Sequence, residues 1–177
     1  MVGLNVLFYM FIIQFALVGL MRGWRKEILV TFSGALALFI INLLVTYFPF
    51  FRLDSPNLPD TARFGFYSTI IISLAFFGYQ TPRLVRTAGD RLARDRVPDA
   101  LFGLIVGIAN GWLIVGSIWY FMHQLGYPLQ PGITPPTAGS AAINLIDNLP
   151  QSIFLFQPPW LYVAVAVAFL VVMAAFV

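Results

Sequence analysis

The chain is a succession of long apolar runs separated by short polar breaks. Uncharged and predominantly hydrophobic stretches occupy residues 2–21, 28–51, 64–80, 100–122 and 160–177. Each approaches the ~20 residues that carry a helix across ~30 Å of hydrocarbon at ~1.5 Å per residue. The third is the shortest: Phe64 to Tyr79 covers about 24 Å, and Gln80 and Thr81 extend it to the interface. The pattern predicts an all-α integral membrane protein, a bundle of about five transmembrane helices with short amphipathic interfacial helices. Residues 1–20 lack a basic leader and a small-residue cleavage site and run directly to Arg22, so they read as a retained span.

Two polar connections carry helical patterning of their own. In residues 81–96, TPRLVRTAGDRLARDR, Thr81 can cap a helix and Pro82 fits its first turn. Leu84, Val85, Ala88 and Leu92 then share one stripe opposite Arg83, Arg86, Asp90 and Arg94. This predicts a helix lying on the membrane surface. Residues 123–159 begin with a run rich in Pro and Gly that excludes a long regular helix. Ile143, Ile146 and Leu149 then suggest a short amphipathic turn or two resting on the opposite interface, and Trp160 and Tyr162 mark the start of the last span. The expected organisation is a four-span unit over 1–122, a connecting loop over 123–159 and a C-terminal span over 160–177.

Composition agrees with the membrane reading. Sixty per cent of the 177 residues are hydrophobic and 10% charged, whereas soluble domains carry about a quarter charged residues. Eight of the ten Lys and Arg residues fall in two alternate connections, Arg22, Arg25 and Lys26 in one and Arg83, Arg86, Arg91, Arg94 and Arg96 in the other. The positive-inside rule places both in the cytoplasm and the N-terminus outside. The net charge of +3 then reflects topology and contact with anionic lipid, and a nucleic-acid partner is disfavoured.

Candidate chemistry is sparse. The chain has no cysteine, which removes disulfides and thiolate chemistry. Polar residues inside the spans, among them Asn5, Gln14, Asn42, Ser73, Asn110 and Ser117, are all neutral, so the ionisable groups needed for proton-coupled transport are expected to be missing. His123, the sole histidine, has no evident second ligand for a metal or tetrapyrrole. Nucleophile, zincin, P-loop and dinucleotide motifs are absent. These readings argue against an enzyme and against a cofactor.

The fourth run repeats glycine at every fourth position, Gly103, Gly107 and Gly111. Glycine costs roughly 1 kcal/mol in a helix interior relative to alanine, but in lipid a ridge without Cβ atoms lets a second helix approach closely. With Gly19 of the first run and the amide of Asn110, these are the expected helix-packing residues. The partners so implied are lipids and other integral membrane proteins, or a second copy of the chain.

Two blocks resemble the colicin V production protein (CvpA) family. GLMRGWRKEIL, residues 19–29, is similar to that family's signature after its first span, here Gly19, Arg22, Gly23 and Glu27. Asp95 and Arg96 followed by LFGLIVGIANGWLIV are similar to its glycine-rich fourth span. The resemblance covers about residues 1–122. Asn110 stands where the family pattern has an arginine, and the run from Trp160 goes beyond the family's usual four spans. The resemblance implies a multi-pass protein of the bacterial inner membrane with a role in toxin production or export, or in envelope physiology. The residues themselves also suit a structural accessory subunit of a larger membrane assembly, such as an energy-transducing complex, and, less directly, a channel or transporter.

Overall fold

The computed structural model describes residues 3–80 and 96–176, with side chains for 3–80 and 97–174. Among them there is no strand, and the chain is an all-α membrane bundle. Helices α1 (Leu4–Arg22), α2 (Trp24–Tyr47), α3 (Asp60–Tyr79) and α4 (Arg96–Gln124) are long and apolar enough to cross a membrane. A short helix α5 (Ala141–Ile146) and an apolar helix α6 (Trp160–Phe176) follow. The predicted surface helix over 81–96 lies outside the described residues, apart from Arg96, which opens α4.

No loop separates the first two helices. Gly23 alone turns the chain, with φ 81° and ψ 158°, a backbone region that only glycine enters freely. Its N–H still closes α1 on the Gly19 carbonyl, while its own carbonyl accepts from Glu27 in α2. The expected loop around Arg22, Arg25 and Lys26 is therefore corrected: Arg22 ends one helix, and Arg25 and Lys26 sit in the first turn of the next.

Helix α2 is central and touches α1, α3, α4 and α6. The most extensive pairing is α1 against α4, running antiparallel from Gly19 beside Gly103 to Phe8 beside Trp119, whose rings lie 5.4 Å apart. Helix α6 runs antiparallel along α2. Tyr162 Oη donates to Asn42 Oδ1 at 2.9 Å, and the rings of Phe39 and Tyr162 and of Phe32 and Phe169 lie 5.5 and 6.1 Å apart. With 17 residues, α6 covers about 25 Å, less than each of the four longer helices.

The third run starts earlier than hydropathy predicts, at Asp60 rather than Phe64. The reason is Arg63, which is only 1% exposed. Its guanidinium donates to the carbonyls of Leu53, Ser55 and Leu58 and to Asp60 Oδ1 at 2.5–2.8 Å. With Tyr67 Oη donating to the Phe51 carbonyl, this folds the connection after α2 onto α3.

The long connection after α4 also departs from expectation. Instead of resting on an interface, α5 and the residues after it descend along the bundle and bury Ile146 and Leu149. Pro150 packs on Gly116, where a Cβ would stand 2.8 Å from its ring. Gly116 lies about 12 Å below the end of α4. Trp112 Nε1, one turn deeper, donates to the Asn148 carbonyl at 3.0 Å.

Candidate functional site

The chemistry gathers where α1 meets α2, around the carboxylate of Glu27, which is fully buried. The Gly23 corner brings Arg22 back over the first turn of α2, and Arg22 Nη1 lies 2.6 Å from Glu27 Oε1. Asn110 of α4 donates through Nδ2 to Glu27 Oε2 at 2.9 Å and to the Glu27 carbonyl at 3.0 Å. The amide oxygen of Asn110 in turn accepts from Thr31 Oγ1 at 2.7 Å. Tyr79, at the end of α3, points its hydroxyl at Glu27 Oε2 from 3.4 Å. One carboxylate thus receives bonds from helices α1, α3 and α4 while standing on α2.

Arg22 is shared in the same way. Its guanidinium lies 4.4 Å from the centre of the Tyr79 ring and donates to the Tyr79 carbonyl at 3.2 Å. It therefore satisfies an open carbonyl at the C-terminus of α3, where a cation is also favoured by the helix dipole. Asp99, the first-turn acid of α4, stands over Gly23, where any Cβ would run into its carboxylate. A negative charge there complements the start of α2.

This arrangement corrects the expectation that no ionisable group lies among the helices. Arg22 and Glu27 are helical, mutually paired and largely or wholly withdrawn from the surface. Isolated charges in such surroundings are prohibitive, whereas a hydrogen-bonded pair is tolerated. Chemically the cluster is closed: the carboxylate is neutralised, and the amide of Asn110 is used on both its donor and acceptor sides.

The predicted packing residues lie together. Gly103 and Gly107 face Gly19, Gly111 faces Ile12 and Phe15, and Gly103 also meets Gly23. A Cβ on Gly19 would run into the Gly103 carbonyl, and one on Gly107 into the Phe15 carbonyl, so backbone packs on backbone. Asn110 joins this seam to the charge cluster. Of the family-motif residues, Arg22, Gly23 and Glu27 meet in the site, Asp95 lies outside the described residues, and Arg96 begins α4 without a described side chain. Tyr79 and Asp99 were not legible as site residues, because their roles depend on helix ends that sequence alone does not bring together.

Elsewhere the options for ligands are limited. Among the described residues no group of three His, Asp or Glu side chains is placed to hold a metal. His123 Nδ1 lies 3.3 Å from the hydroxyl of Tyr127, which burial pushes above its ordinary pKa. A dry groove of about 510 Å³ runs between α2, α4 and α6, lined by Phe32, Ile105, Ala109, Ala164, Val167 and neighbouring apolar residues. Compared with known protein families, with curated proteins and with solved structures, the chain finds no match.

Proposed function

We propose that the protein works by association, as a small membrane-embedded subunit that holds other membrane proteins rather than as an enzyme or a conduit. The observation that carries this reading is the closure of the Glu27 cluster. Its charges neutralise each other, and its hydrogen bonds are spent between helices, so they hold the bundle together and leave no open polar row among the described residues to pass a proton or ion. Outward the bundle offers extensive apolar surface: the groove beside α6 and the exposed hydrophobic side chains of α1 and α4.

Within that reading, the resemblance to the CvpA family supports a place in toxin production or export, or in envelope physiology, in a bacterial inner membrane. The dry groove favours a second version, a structural accessory subunit of a larger assembly such as an energy-transducing complex. The basic residues at the Gly23 end support an orientation with that end in the cytoplasm and the N-terminus outside. Gentle solubilisation followed by identification of copurifying chains tests association directly. The purified protein alone should pass no protons or ions in proteoliposomes. Reproducible flux abolished by Asn110→Leu would replace association with a conduit.

A further inference from the structure

The segment that descends beside α4 carries polar side chains to a level where they have no reason to face lipid. Asn148 is tied by its carbonyl to Trp112. Trp112 adjoins Gly111, which faces Ile12 near the middle of α1. Asp147 is the next residue, is exposed, and has no cation beside it among the described residues. Asn144 and Asn148 beside it are exposed as well. Non-helical backbone at membrane depth persists where protein or water covers it, and an ionisable side chain there calls for a counter-charge.

The surface below Asp147 has the form of a helix seat. Leu101, Ile105 and Ile108 of α4 are 56%, 60% and 40% exposed. With Trp112 they recur at the three- and four-residue spacing of a single helical face. The stripe runs about 17 Å along α4 and ends at the indole that holds Asn148. An apolar stripe that ends at Trp112, one hydrogen bond and one residue away from an exposed, unpaired carboxylate, is a two-part recognition surface.

We propose that this face receives a transmembrane helix of a different protein, one bearing a single Lys or Arg near mid-membrane that pairs with Asp147. Among the described residues, a second copy of this chain offers no cation at that level. Arg22, Arg25 and Lys26 lie at the Gly23 end, Arg52 lies beyond the opposite end of α2, and Arg63 is already committed to Asp60 and three carbonyls. The inference rests on the association reading and names the chemistry of its partner.

The test uses the full chain carrying a dye on Thr137→Cys, reconstituted with synthetic helices of about 22 leucine and alanine residues. One helix has a lysine at its centre, so that its orientation in the vesicle is immaterial, and one has leucine there. Energy transfer to the lysine helix should exceed transfer to the leucine helix. In Asp147→Asn the apparent affinity for the lysine helix should fall about tenfold, while the exposed site leaves thermal aggregation unchanged. Equal transfer to both helices, or an unaltered response in a folded Asp147→Asn, would overturn the proposal. A copurifying partner that persists in that variant would likewise overturn it while leaving association intact. Absence of any partner for the unaltered protein would instead defeat association itself.

Discussion

At the scale of single residues, three helices bring donors to one buried carboxylate on the fourth. Removing one member of a buried pair is costly because the other stays behind unpaired. Arg22→Met should therefore destabilise the bundle by about 3–5 kcal/mol, read as earlier thermal aggregation in detergent. Arg22→Met combined with Glu27→Gln should recover much of that loss, since a neutral amide at 27 can still engage Asn110. If the double variant is no better than the single, the pair is not the source of the effect. Sequence reading found Arg22, Gly23, Glu27 and Asn110 but assigned the first three to a family motif in a loop and the last to helix packing. Five residues of separation across a glycine do not correspond to a shared helix face. Only the sharp turn at Gly23 makes the two charges neighbours, and nothing local announces that Asn110 reaches them from α4.

Among the secondary-structure elements, the apolar runs announced helices α1 to α4 because lipid demands length and hydrophobicity in the same stretch. The start of α3 was not legible, because Arg63 counts as a loop charge until its carbonyl partners are known. The descent of residues 147–156 was hidden for a similar reason, since the prolines that exclude a long helix say nothing about depth. The glycine seam supports a sharper expectation. Gly107→Leu drives a branched side chain into the α1 backbone and should lower the aggregation temperature strongly, whereas Phe102→Ala on the lipid-facing side, 59% exposed, should change it little. Similar curves for Gly107→Leu and Phe102→Ala would mean that α1 and α4 separate without consequence.

For the whole molecule, orientation is open to measurement because the chain has no cysteine of its own. Single cysteines at Asn57 and Thr137, both exposed, should react with an impermeant thiol reagent in intact cells, and one at Val97, at the opposite end and 70% exposed, should not. Labelling at Val97 alone would invert the topology. Ser55, which an unfolded outer loop would have offered, is closed to the reagent, since it is 9% exposed and its carbonyl accepts from Arg63.

The one-residue corner at Gly23 also sets an order of assembly during synthesis. A chain is made N-terminus first, and a single residue reaches only about 3.5 Å, so α1 and α2 have no slack to be threaded or oriented separately. They must enter the bilayer as one hairpin. The face of α1 formed by Ile12, Phe15, Ala16 and Gly19, however, finds the glycine ridge it packs against only when α4 has been made, so until then it stays open to whatever helix is nearest. A nascent chain paused after α3 is thus a bundle with an open seam, and that is when a foreign span, or a second nascent copy, can take the place reserved for α4.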